Sequence, residues 1–306
     1  MIATNYDYES CVRASEKIAW KLDDVFPQGM KLDFGRRFLP DTMSSTAGLS
    51  FLDGGERLKL NQIMGNSYLY LFYFVEEYII ASVLQHANAE MFGEPAELRA
   101  LLRFADEEVK HQQLFARFRG AFERDFGSPC DVIDNPQAVA EVILGKTPMA
   151  VLLTTLHLEL LTQQHFVEGF REAEGKSLDP FFASLLKNHW LEESQHAKID
   201  ALELKKLADS ASPAQIDVAV GDYLEILHAF AGLLSQQAAL DVNSLERAAD
   251  RTFTEAERAT ITDVQARAYR RAFIVLGVEN AGFIKYLEQF SVGATERVAS
   301  QLGALS

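Results

Sequence analysis

Two copies of one short pattern carry the chemistry of this chain. Glu108-Val109-Lys110-His111 and Glu193-Ser194-Gln195-His196 both read Glu-x-x-His and lie in separate parts of the sequence. On an α-helix, positions i and i+3 share a face, so each copy presents a carboxylate and an imidazole side by side. A lone glutamate precedes each copy at a similar distance: Glu77 stands upstream of Glu108, and Glu159 upstream of Glu193. One such half has too few donors to enclose a metal ion. Two halves facing each other supply four carboxylates and two imidazoles, the ligand set of a two-iron centre inside a four-helix bundle.

Spacing alone is weak support. Random placement of 7 His and 26 Glu in 306 residues would give about 0.6 Glu-x-x-His matches. Specificity comes from context. Both copies sit in strongly helical stretches, and the two sets recur in step: Glu77 to Glu159 and Glu108 to Glu193 are nearly equal intervals along the chain. Glu159 is the only acid between Met149 and Phe166. Burying an unpaired carboxylate is costly, and a cation removes the penalty. His157 and His165 share that helix but fall off the Glu159 face, and both read as structural. Glu76 and Glu77 are adjacent in an almost wholly apolar run from Phe72 to Ile80. Glu76 aligns with the polar residues Gln62, Gly65 and Asn66, a face expected to reach solvent, so Glu77 is the expected ligand. For Glu107/Glu108 and Glu192/Glu193 the histidine spacing selects the second member of each doublet.

A third histidine sharpens the pattern. His189, Glu193 and His196 form one stripe on one helix, with no counterpart in the first half, where Phe104 holds the equivalent position one turn before Glu108. Asp200 continues the stripe, either as a solvated helix residue or as a group that orients His196. Glu, Glu-x-x-His, Glu, then His-x-x-x-Glu-x-x-His resembles the di-iron p-aminobenzoate N-oxygenase family. The resemblance covers roughly residues 50 to 210, with Leu39-Pro40 and Leu49 to Asn61 similar to that family's approach to its first core helix; residues 210 to 306 show none. It implies an all-α, ferritin-like bundle with a di-metal core. It also implies a seven-ligand set: Glu77, Glu108, His111, Glu159, His189, Glu193 and His196. The implied reaction is N-oxygenation of a small amine, an arylamine in the known cases.

Composition bounds the rest. A length of 306 residues with 48% hydrophobic residues supports a sizeable core. A formal charge of −15 argues against nucleic acid and anionic membranes as partners. Cys11 and Cys130 form no metal or redox motif. Together with no evident signal peptide, they fit a reducing cytoplasm. The apolar run from Tyr68 stops at Glu76, short of a membrane span.

The elements that must position the ligands read as helices throughout. Tyr8 to Val25 is amphipathic, and Phe26 to Asp53 is a loop. Glu56 to Met91 is one long helix. Gly93 ends it, and Pro95 opens the next, to about Phe122. Gly127 to Pro136 connects to a short helix over Gln137 to Leu144. Thr147-Pro148 starts the Glu159 helix with Thr147 as cap, Asp179-Pro180 starts the His189 helix, and Ser212-Pro213 opens one to about Leu240. Residues 243 to 304 read as further helices. The expected organisation is one helical domain over 1–306, with a four-helix core at 54–210. Helices from 213 to 306 would bury one side of the bundle or support a homodimer.

Carboxylate and imidazole donors suit Fe, with Mn possible. Two divalent ions and four carboxylates cancel in charge, so the reduced site can sit in a dry core. The expected chemistry is activation of dioxygen on a small-molecule substrate. Flavin, nicotinamide and iron–sulfur signatures are missing, so electrons must come from an external donor. Tyr73, Ala81, Phe104, Thr155, Thr162 and Gln163, one turn from the ligands, are candidates to line a pocket. The alternatives are a hydroxylase, desaturase or aldehyde-processing enzyme on an acyl substrate, or a ferroxidase.

Overall fold

In a computed structural model, which describes residues 6–170 and 177–305, the chain is helical almost throughout. Among the described residues strand pairing amounts to one isolated bridge, Arg37 with Leu178. Residues 1–5, 171–176 and 306 of the span expected to form one domain lie outside the described residues.

The helix starts follow from local chemistry. Asp53 and Glu56 form a reciprocal capping box that opens α2, Gly54–Ala89, after the shorter α1, Tyr8–Ile18. Proline occupies the first turn of α3 (Pro95–Asp125), α4 (Pro136–Leu144), α5 (Pro148–Gln164), α6 (Pro180–Ser210) and α7 (Pro213–Ala249). A missing N–H costs nothing there, and the fixed φ suits the helix. The Asp179 carboxylate accepts from the N–H groups of Phe181 and Phe182 at the start of α6. Thr147 stands at the start of α5 but its hydroxyl makes no cap bond; its own N–H donates to Asp222 instead. Among the described residues three longer helices follow, α8 (Glu255–Arg270), α9 (Ala281–Phe290) and α10 (Val292–Leu305), with short helical turns at Arg271–Val275 and Leu276–Val278 between the first two. The expected amphipathic helix from Tyr8 to Val25 is interrupted after Ile18 and resumes as one turn, Leu22–Val25. In the other direction, α7 runs past the expected Leu240 to Ala249, because no glycine or proline intervenes before Asp250 adopts the left-handed conformation.

Four long helices make the bundle. α2 pairs with α3, α5 pairs with α6, and the pairs meet through α3 on α6 and α2 on α5. α1 lies across α3 and α6, while α7 closes the other side against α2 and α5. One apolar cluster runs from Cys11 in α1 to Leu305 in α10. α5 shows why no amphipathic pattern marks it: from Met149 to Glu159 every side chain is buried, so it has no solvent face to set against a core face.

By length and composition α2 and α7 could each cross a membrane, which corrects the expectation that no run reaches that length. In α2, 72% of the apolar window is buried inside the protein, against 44% in α7. α2 spends its apolar surface on the bundle.

Candidate metal centre

The bundle geometry brings acids and histidines from all four helices to one place. α2 contributes Glu76, α3 Glu108 and His111, α5 Glu159, and α6 His189, Glu193 and His196. None of these side chains is more than 4% exposed. His111 Nδ1 lies 3.1 Å from Glu193, 3.6 Å from Glu108 and 3.8 Å from Glu76. His189 Nε2 lies 2.9 Å from the same Glu193 oxygen and 3.3 Å from Glu76. His196 Nδ1 lies 2.8 Å from Glu108, 3.4 Å from Glu193 and 4.0 Å from Glu159. The donors fall into two overlapping groups, Glu108-His111-Glu193-His196 and Glu76-His111-His189.

Five of the seven expected residues stand in these groups, Glu159 lies at their edge with its Oε2 4.0 Å from His196 Nδ1, and Glu77 needs correction. Glu76, not Glu77, faces the cluster; Glu77 is only partly buried and stands outside both groups. The physical reason lies in the supposed polar face of α2. Gln62 donates to the carbonyls of Phe34 and Arg36, and a side chain at Gly65 would meet Phe38 at 2.8 Å. Polar residues there serve the folded N-terminal segment, so that face points inward and Glu76 with it.

The contacts inside the cluster are close but not aligned as hydrogen bonds. Both oxygens of Glu76 and of Glu108, Glu159 Oε2, Glu193 Oε1, and Nδ1 of His111 and His196 are buried without a hydrogen-bond partner. The outward nitrogens differ. His111 Nε2 is 2.9 Å from Glu192 Oε2, and His196 Nε2 is 2.9 Å from Glu107 Oε2. An ionised carboxylate can only accept, so each Nε2 carries a proton, and Nδ1 is the nitrogen that faces the cluster and would offer its lone pair to a metal. The partners cross over: Glu107 on α3 holds the histidine of α6, and Glu192 on α6 holds the histidine of α3. Ser15 and Gln195 donate to Glu107, and Lys110 bonds Glu192.

Sequence reasoning missed Glu107 and Glu192, although the signal was present. Both copies read Glu-Glu-x-x-His, and the doublet itself repeats.

Charge is balanced among protons here. Burial, with Glu108 beside it, drives the Glu76 carboxyl well above its usual range. Burial opposes charge at Glu108 too, but His196 and His111 bring it below that range. Burial also opposes charge on His111 and His196, yet the surrounding carboxylates carry both well above the ordinary histidine value. Burial, with two imidazoles beside it, holds His189 well below. Buried carboxylate and imidazole atoms without hydrogen-bond partners, aimed at one point and backed by oriented Nε2–H groups, fit a pair of cations that would displace these protons.

Beside Glu76 and Glu159 lies a void of about 10 Å³, lined by Phe72, Val75, Ile79, Leu158 and Thr162 among others. Of the six candidate pocket residues only Thr162 lines it. Phe104 instead stacks on His196 at 4.0 Å between ring centres, and Gln163 donates to backbone carbonyls of Glu159 and Glu193. Asp200 is not solvated, being 1% exposed, and it is not the group that holds His196, whose Nε2 is on Glu107 and whose Nδ1 faces the cluster. His157 and His165 stay outside the cluster, bound to Tyr223 and Tyr68.

No protein-family model matches the chain, and no curated protein matches it. Solved structures do. A variant of an R2-like ligand-binding oxidase with an anaerobically reconstituted Mn/Fe cofactor matches with TM-score 0.51 at 13% identity, covering 88% of this chain and 93% of that one. A second variant with such a cofactor gives 0.52 at 13% identity over 89% and 92%. A third, aerobically reconstituted with Fe/Fe, gives 0.50 at 13% identity over 88% and 93%. At such identity the likeness establishes the architecture, an all-α ferritin-like bundle with additional helices.

Proposed function

We propose that the chain is a non-haem di-metal oxidoreductase that activates dioxygen on a small substrate. The observation that carries this reading is the set of buried, hydrogen-bond-free donors converging on one point, with Glu107 and Glu192 fixing which imidazole nitrogen faces inward. Glu76, Glu108, His111, Glu159, His189, Glu193 and His196 would hold two Fe ions, or Mn in one position, as in the cofactors of the structurally similar oxidases. Such a pair would supply the electrons that reduce dioxygen. The protein's part is to exclude water, orient the imidazoles and hold protons.

Among dioxygen reactions we favour N-oxygenation of a small amine, an arylamine first, because His189 joins the cluster and adds a third imidazole. The apolar lining of the adjacent void favours a second reading, oxidation of an acyl or alkyl substrate. The void holds about one water molecule's volume, so either substrate must displace side chains to enter.

Electrons would come from an external donor. Trp20 is partly exposed and its ring lies parallel to His111 at 5.9 Å, with Lys110 Nζ 4.1 Å over its face. It gives a route from the surface to a ligand. The remaining elements of the reading are a homodimer and a reducing cytoplasm, in which Cys11 and Cys130 stay free thiols.

The test is anaerobic titration with Fe(II), then with Fe(II) and Mn(II), followed by rapid mixing with dioxygen. Two ions bound per chain and fast oxygen consumption are the expected result. Faster turnover with arylamines than with fatty acids selects N-oxygenation; the reverse selects the second reading. A chain that binds no stoichiometric metal ends both.

A further inference from the structure

Asp200 is a buried acid that no part of the fold requires. It is 1% exposed, and its Oδ2 is buried with no hydrogen-bond partner. Leaving such a group unpaired costs stability, so its presence calls for a task. Its position on α6 gives one. Glu193, His196, Asp200 and Glu203 follow in steps of three, four and three, which keeps them on one side of the helix. Glu203 is also 1% exposed but fully engaged: Tyr8 donates its hydroxyl to Oε1 at 2.6 Å, and His86 Nδ1 is 2.9 Å from Oε2. Lys206 Nζ lies 3.6 Å from the same Oε2, is 41% exposed, and also bonds Glu90 and Glu97. The His86 side chain is 14% exposed. A row of titratable groups thus runs from the surface to the cluster.

A centre that reduces dioxygen takes up a proton for each electron it delivers to form water, and this centre is sealed from solvent. We propose that His86, Glu203 and Asp200 form the line that delivers those protons. The proposal rests on the dioxygen-activating reading above. A proton from solvent passes from His86 to Glu203, and Glu203 passes one to Asp200. Asp200 gives its own proton to the reduced oxygen. Each hop breaks one N–H or O–H bond and makes another, and no side chain changes oxidation state. Dioxygen is the oxidant; the electrons come through the metals from the external reductant.

The surroundings agree. Burial drives the Asp200 carboxyl well above its usual range, with Glu108, Glu203 and Glu193 adding to the rise and His196 opposing it. Burial opposes charge at Glu203, but His86, Tyr8 and Lys206 bring its carboxyl below that range. Glu203, one turn along α6 from Asp200 and 2.9 Å from His86 Nδ1, is thereby the group placed between the surface and Asp200.

The experiment uses the full chain loaded with two Fe(II), mixed with dioxygen and excess ascorbate as the external reductant, in weak buffer containing a pH-indicating dye. Asp200→Asn and Glu203→Gln should bind the same amount of iron yet take up protons at least ~10-fold more slowly, with a larger solvent deuterium effect. Proton uptake at the wild-type rate in both variants overturns the line. Should a variant lose iron, the metal-free protein decides. The infrared band of the buried Asp200 carboxyl, located by its loss in Asp200→Asn, should exchange into D2O roughly 10-fold more slowly in Glu203→Gln. Unchanged exchange overturns the proposal. A wild type that consumes no oxygen removes the di-metal reading itself, a different result from a reactive wild type whose variants match it.

Discussion

Glu76 and Glu77 are neighbours in sequence, and about 100° of helix rotation separates their functions. Glu76 brings both its oxygens, without hydrogen bonds, to the His111–His189 side of the cluster, whereas Glu77 stays partly exposed. Glu76→Gln is expected to abolish or severely weaken binding of one of two Fe(II), while Glu77→Gln leaves stoichiometry at two. Anaerobic titration with a competing chelator measures both, and equal losses would remove Glu76 from the ligand set. The outer carboxylates act through the imidazoles. Glu107→Ala and Glu192→Ala each free an Nε2 proton from its partner, and each should weaken metal binding by roughly 10–100-fold. Binding unchanged in both would show that the crossed pairs do not position the ligands. Sequence showed the ligand types and most of their positions because i,i+3 spacing is a property of one helix. It could not show that Glu107 serves His196 and Glu192 serves His111, since those pairs cross between helices. Nor could it place Glu76, because the polarity of its face belongs to contacts with Phe34, Arg36 and Phe38, far off in sequence.

Elements were legible where a local device marks them. The Asp-Pro and Ser-Pro starts and the Asp53–Glu56 box are such devices. α7 extends past the expected Leu240 to Ala249 because a helix that simply continues leaves no local mark. The packing of the C-terminal elements on α5 was not legible at all, and it depends on one glycine. After α8 the chain makes a wider turn over Arg271–Val275 and returns to α-helix at Leu276. The His157 imidazole from α5 fits against that return: Nε2 is 3.1 Å from the Phe273 carbonyl, and Nδ1 is 2.8 Å from the Tyr223 hydroxyl. Burial holds His157 down to about 4, so it is neutral, with Nε2 donating to the carbonyl and Nδ1 accepting from the phenol. A Cβ on Gly277 would stand 2.2 Å from Nε2. Gly277→Ala must therefore displace His157 and break a buried hydrogen bond, at about 2–4 kcal/mol. The urea midpoint should fall at constant m-value, and the loss should shrink in a His157→Ala background. An unchanged midpoint would mean that α5 and the C-terminal helices are not locked together here.

On the scale of the whole molecule, the bundle is joined to the α7–α8 layer by a second buried acid, and this one is saturated with donors. Asp241 on α7 is fully buried and accepts from Ser67 on α2 at 2.7 Å, from Gln237 at 2.9 Å and from Tyr269 on α8 at 2.6 Å. Burial raises its carboxyl and the three donors restrain the rise, leaving it at about 6 against 3.8 for the free side chain. Between those values the folded chain holds a proton that the unfolded chain has released. Stability therefore falls as pH rises through about 4 to 6, by about 3 kcal/mol in total from this group, and levels above that. Asparagine has the same shape and cannot ionise. The stability of the wild type relative to Asp241→Asn should thus grow as pH drops from 7 to 4. Comparing the two proteins cancels the contribution of the protons held at the metal cluster, which is common to both. Urea unfolding of the metal-free pair at half-unit pH intervals gives the difference curve. Parallel curves across that range would mean that Asp241 is either ionised at pH 4 in the fold or exposed to water, and the junction between bundle and outer layer would then not be the dry, donor-filled contact it is here.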